Sequence, residues 1–122
     1  MSGRVLIFVL AAMSMGDPVM AQSICSVPSI RRWPGQTVDG TMTVKAGRQC
    51  SIVMNNSEGG VLDTRIVQKA SVGAVSVNGQ RIVYSAKSGY AGADQFAYQR
   101  DELNRTGARM VSTVRVAVTV VP

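Results

Sequence analysis

The sequence contains no histidine in 122 residues. That absence removes the Ser-His-Asp triad, the Cys-His pair and every histidine metal ligand. Acid is scarce as well, with 7 Asp and Glu against 13 Lys and Arg and a formal net charge of +6. A calcium site wants roughly six to eight oxygen ligands, and a few scattered carboxylates in a basic chain are a poor supply. Aromatic residues make up 5% of the chain, with a single Trp, so basic and aromatic residues do not interleave as in single-strand nucleic-acid binders. The uncharged apolar run from Val5 to Gly16 falls well short of the roughly 20 residues that span a bilayer. The two cysteines, Cys25 and Cys50, are too far apart for the C-x-x-C arrangement of redox-active thiols.

What is present begins with an export signal. Arg4 precedes the apolar run, Ser14 to Pro18 are small or turn-forming, and Val19-Met20-Ala21 places small residues at the positions a signal peptidase reads. Residues 1–21 therefore read as a signal peptide, with cleavage before Gln22 and no membrane span afterwards. A lipoprotein is disfavoured, since no small-residue box precedes Cys25. Removing the segment takes away one base, Arg4, and one acid, Asp17, so the net charge stays +6. The expected location is exported, either periplasmic or extracellular. An even pair of cysteines in such a compartment predicts a Cys25–Cys50 disulfide. Closing a loop of about 25 residues stabilises by about 3 to 4 kcal/mol in the chain-entropy account.

From Gln22 onward the chain shows period-two alternation and turn punctuation with little helical periodicity. Strands are expected over Ile24–Ile30, Thr41–Lys45, Gln49–Met54, Val61–Lys69, Gly73–Val77, Arg81–Ala86, Asp94–Arg100 and Arg109–Val121. Asn78-Gly79-Gln80 reads as a hairpin turn, because Asn and Gly accept positive φ. In the last strand Met110, Ser112, Val114, Val116, Val118 and Val120 share one face, opposite Thr113, Arg115 and Thr119. The even positions should therefore face the core. About seven short strands at roughly 8- to 12-residue spacing predict one all-β domain over 22–122, a two-sheet antiparallel β-sandwich.

Within Gly73–Val120 the residue order becomes more specific. Gly73-Ala74-Val75-Ser76-Val77, a turn, and Ile82-Val83-Tyr84 precede Gly89-Tyr90-Ala91-Gly92-Ala93-Asp94-Gln95-Phe96-Ala97-Tyr98 and the Val-rich last strand. This pattern resembles the bacterial immunoglobulin-like, cadherin-like module of surface proteins and adhesins. The resemblance implies an Ig-like sandwich and a binding or adhesive role. The same residues make physical sense unaided. Gly89 and Gly92 permit the backbone angles of a tight corner, and Asp94 can accept hydrogen bonds from corner amides. Phe96 and Tyr98, two apart, fill one face with large rings, and Tyr84 should meet them from the neighbouring strand. The calcium sites between tandem repeats of the resembled modules do not carry over, because Leu103 and Arg105 intrude in the stretch Asp101–Gly107.

No convergent catalytic set emerges, and the chain reads as a non-enzyme with no cofactor. Asp101 and Glu102 fall in an expected turn, where they would point apart into solvent. Ser85 and Lys87 sit two apart on one strand face, without a sign of the burial a lysine base needs. The best local binding candidate is Arg31-Arg32-Trp33, where a Trp beside two Arg in a loop could stack on a sugar or insert at an interface. The leading functional expectation is an exported binding or adhesion module that recognises glycan or an anionic envelope polymer. The alternative is a structural or assembly subunit that pairs with a protein through an edge strand, and an inhibitor of a small hydrolase ranks behind both. Nucleic acid is not expected as a partner.

Overall fold

The structure is a computed structural model that describes residues 24–31, 34–54 and 60–122. The expected signal segment, Arg32, Trp33 and the stretch 55–59 lie outside the described residues. Where Val, Thr and Ile alternate with polar residues, the chain is extended, and no helix occurs among the described residues. Eight strands follow in chain order: β1 (Cys25–Ser26), β2 (Thr37–Lys45), β3 (Gln49–Val53), β4 (Val61–Gln68), β5 (Ala74–Asn78), β6 (Arg81–Ser85), β7 (Gly92–Leu103) and β8 (Arg109–Val121).

These strands form two sheets, one of order β1-β2-β8-β7-β4 and one of order β3-β6-β5. The core lies between them. Met42, Val44, Val114, Val116, Val118 and Val120 contribute from the larger sheet, and Cys50, Ile52, Ile82 and Tyr84 from the smaller. The even positions of β8 are the buried ones from Ser112 to Val120, as its alternation requires. The fold is thus all-β and sandwich-like.

Three features depart from expectation. The strand pairing is mixed, because β2 runs parallel to β8 from Thr37↔Thr113 to Lys45↔Val121, while every other pair is antiparallel. Alternation reports which face a residue takes and is silent on the direction of a distant partner. The first expected strand shortens to Cys25–Ser26, since Pro28 has no amide hydrogen for a ladder and residues 27–30 run on without strand pairing. At the other extreme, β7 continues through Asp101 and Glu102 to Leu103, in unbroken register with β8 as far as Arg109. Those two acids belong to a strand and are 7% and 0% exposed, so the expectation of a solvated turn is corrected.

Pairing also sorts the connections into two groups at opposite ends. Residues 34–36, Met54 and Gly60 at the two sides of the β3–β4 connection, the β5–β6 hairpin turn and the β7–β8 turn gather at what we call the loop end. Thr37↔Thr113, Leu103↔Arg109, the Leu103 N–H to Gly60 carbonyl bond (3.0 Å) and the Met54 N–H to Gln80 carbonyl bond (2.8 Å) fix that grouping. The β2–β3, β4–β5 and β6–β7 connections form the opposite, turn end. There Cys25 of β1 is bonded to Cys50 of β3, 25 residues on, tying the two sheets together.

Candidate functional site

The corner residues form the most heavily bonded polar centre of the molecule. Gly89 and Gly92 hold φ of 81° and 146°, which turns the chain into β7. Asp94 then points inward, 6% exposed, and collects five donors. Its Oδ1 accepts from the amides of Ser71 (2.8 Å) and Gln95 (2.9 Å), and its Oδ2 from the amide of Gly73 (2.8 Å) and the Tyr84 hydroxyl (2.7 Å). The Val72 amide donates at longer range, 3.2 Å to Oδ2. Burial alone would raise the Asp94 pKa. The hydrogen bonds from Gly73, Tyr84, Gln95 and Ser71 outweigh it and hold the carboxyl below the ordinary range. The same contact acts in reverse on Tyr84, whose hydroxyl is pushed up by burial first and then by its bond to the Asp94 charge.

Tyr84 stacks on Phe96 with ring centroids 5.8 Å apart and planes within 11°. It does so from β6 in the smaller sheet, so the rings meet across the core, whereas a neighbouring strand was expected. Gly73 makes this possible. A Cβ there would lie 2.5 Å from the Ser85 carbonyl oxygen and 2.6 Å from the Tyr84 ring. A Gly73→Ala substitution should therefore cost about 1 to 3 kcal/mol through overpacking against backbone, read as a lower urea midpoint at unchanged slope.

The inner face of β7 carries alternate residues Asp94, Phe96, Tyr98, Arg100 and Glu102, so the period-two pattern that marks the rings continues into two charged groups. Arg100 is 2% exposed and Glu102 fully buried, with Arg100 Nη2 4.0 Å from Glu102 Oε1. The Ser112 hydroxyl donates to Glu102 Oε2 at 2.5 Å and accepts from the Gly35 amide at 3.0 Å. The loop that carries Arg31 is thereby anchored to a buried ion pair. Sequence reasoning missed this group because it read the charged stretch as turn. The available signal was Arg100 and Glu102 falling on the same alternate positions as Phe96 and Tyr98.

Of the candidate binding residues, Arg31 is exposed at the loop end, while Arg32 and Trp33 lie outside the described residues. Arg105 and Arg109 in and after the β7–β8 turn, and Arg81 after the β5–β6 turn, are exposed at the same end. The β7–β8 turn is preformed: Asn104 Oδ1 accepts from the Thr106 amide, the Thr106 hydroxyl and the Ala108 amide at 2.8 to 3.0 Å. Beside this end a half-open cleft of about 440 Å³ separates residues 27–30 from the free edge of β3, with Tyr98 and Arg100 in its lining. Val53, at the end of that edge, is 59% exposed.

The outer face of the larger sheet is a self-neutralised polar surface. Asp101 accepts from Arg109 Nη2 at 2.8 Å and Arg65 Nη1 at 3.1 Å. Those bonds, Arg109 first, hold its carboxyl below the ordinary range. Arg115 and Asp39 pair at 2.9 Å, and Gln99 donates to Thr113 at 3.1 Å. Among the described residues no group of three or more His, Cys, Asp or Glu could hold a metal ion. Ser85 closes β6, and Lys87 lies beyond it in an exposed loop, so the two do not form a buried dyad.

No family model matches this sequence, and no curated protein matches it. Among solved structures the fold is similar to part of a sialyltransferase from Photobacterium damsela, with a TM-score of 0.41 and 8% identity. The similarity covers 70% of this chain and 18% of that one. At that level it carries no implication for activity.

Proposed function

We propose that the protein is an exported, non-enzymatic binding module of the immunoglobulin-like class whose ligand is a glycan or an anionic envelope polymer. The observation that carries this reading is the gathering of four connections at one end of the sandwich, with Arg31, Arg81, Arg105 and Arg109 exposed there. Placing variable loops at one end of a rigid two-sheet frame is how such domains present binding surfaces. The strand orders β3-β6-β5 and β8-β7-β4 match an immunoglobulin Greek key in which β3 to β8 take the second to seventh places. The disulfide fits an oxidising compartment, and no helix among the described residues is long and apolar enough to cross a membrane.

The test is a binding screen of the exported protein against neutral glycans and acidic polysaccharides at low and physiological salt. Retention of acidic polymers that weakens in an Arg31→Ala/Trp33→Ala protein is the expected result. A protein that remains folded and binds nothing overturns the reading.

The second reading, assembly through a sheet edge, is favoured by one observation. The edge of β3 faces a cleft instead of another strand, and Val53 is exposed beside it. Light scattering at increasing concentration decides between them: a stable oligomer that a Val53→Lys substitution returns to monomer would replace the first reading.

A further inference from the structure

Of the three lysines of the chain, Lys45 closes β2 at the turn end, and Lys69 and Lys87 fall in the connections there. Arg48 joins them, and backbone hydrogen bonds bring three of these four together. The Arg48 amide donates to the Lys45 carbonyl (3.1 Å), the Gly47 amide to the Ala86 carbonyl (3.1 Å), and the Ala86 amide to the Arg48 carbonyl (2.9 Å). Lys87 follows Ala86 directly. The β2–β3 and β6–β7 turns are therefore one bonded surface, and the disulfide from Cys50, two residues past Arg48, fastens it to β1.

The charge pairing elsewhere sets this surface apart. Among the described residues every acid is accounted for: Asp39 pairs with Arg115, Asp63 and Asp101 with Arg65, and Asp101 also with Arg109. Glu102 is buried beside Arg100, and Asp94 is buried among its amides. No acidic side chain belongs to either turn, and Lys45, Arg48 and Lys87 have no ion-pair partner among the described residues. Val121 accepts from the Ala46 amide at 2.8 Å, so the end of β8 borders this surface.

We propose that Lys45, Arg48 and Lys87 form a docking surface for a linear anionic polysaccharide, separate from the loops at the other end. This rests on the anionic-ligand reading above and names a place for that ligand which the sequence did not suggest. The charges are spread over the end of β2 and two hydrogen-bonded turns, which suits repeated carboxylates or sulfates along a chain more than one buried anion. A lipid surface is disfavoured, because the exposed large apolar residues are Val53, Val61, Leu62, Val67 and Val111, and none belongs to these turns.

The experiment compares the unaltered protein with Lys45→Gln/Arg48→Gln/Lys87→Gln and, separately, with Arg31→Ala/Trp33→Ala. Probes are heparin, polygalacturonate and vesicles of anionic phospholipid. Binding to the two polysaccharides should weaken about tenfold in the triple variant at low salt and fall steeply with added salt. Arg48 and Lys87 are exposed and Lys45 is half-buried, and an unchanged thermal midpoint confirms that the variant is folded. If polysaccharide binding is lost only in the Arg31→Ala/Trp33→Ala protein, the docking surface is overturned and the functional reading stands. If nothing binds any polysaccharide, both fall. Binding to vesicles alone overturns the choice of ligand.

Discussion

An Asp94→Ala protein is expected to lose about 3 to 5 kcal/mol of folding stability, a large share of the roughly 5 to 15 kcal/mol typical of a domain. The reason is an imbalance of partners. The carboxylate serves the amides of Ser71, Val72, Gly73 and Gln95 and the Tyr84 hydroxyl, and alanine leaves all five without that acceptor, the buried Tyr84 hydroxyl among them. A Tyr84→Phe protein should lose only about 1 to 2 kcal/mol, because one hydrogen bond goes and the stack on Phe96 stays. Urea titration of both proteins checks the pair, and equal losses would show that the Tyr84 hydroxyl bond carries the whole effect and the bonds to the amides add little.

Acid should act through the same group. Asp94 has a folded pKa below the ordinary 3.8, so its contribution is fully present above that value and is lost as pH falls through the depressed one. Stability should therefore drop below about pH 4, and the drop should be shallower in the Asp94→Ala protein, which has already lost it. Asp101 shifts in the same direction, which is why the slope is reduced and not abolished.

Removing the disulfide gives the second large effect. A Cys25→Ser/Cys50→Ser protein is expected to be about 3 to 4 kcal/mol less stable, since the bond closes a loop of 25 residues in the unfolded chain. The loss should appear equally when the unaltered protein is unfolded with and without reductant. Cys50 is 2% exposed, so reduction of the folded protein should be slow until it opens. A reduced protein as stable as the oxidised one would mean that the short β1 pairing with β2 holds the N-terminal segment without help.

Much of this architecture was legible where the chain carries its information locally. The alternation of β8 fixed its buried face, Asn78-Gly79 placed the hairpin, and the spacing of Gly89, Gly92 and Asp94 marked a corner that the structure builds. The parallel pairing of β2 with β8 was not legible, because its partners are 76 residues apart and neither strand carries a mark of direction. The buried Arg100–Glu102 pair was hidden for another reason. Charged residues read as solvated unless a partner is known, and here the partners are one another together with Ser112 on the adjacent strand. The cluster at the turn end required the topology too. Lys45 and Lys87 are far apart in sequence, and only the hydrogen bonds between their turns make them neighbours.

The disulfide has a mechanical consequence as well. β2 lies wholly inside the covalent loop between Cys25 and Cys50. Tension applied upstream of Cys25 passes through the sulfurs into β3 and leaves residues 26–49 slack. The parallel ladder of β2 on β8, which would otherwise be sheared along its length, then carries no load until the bond is reduced. Pulled from both ends, the oxidised domain should yield through β3 and β8, and the reduced one through β2, so that forced unfolding would differ in both the rupture force and the length of chain released.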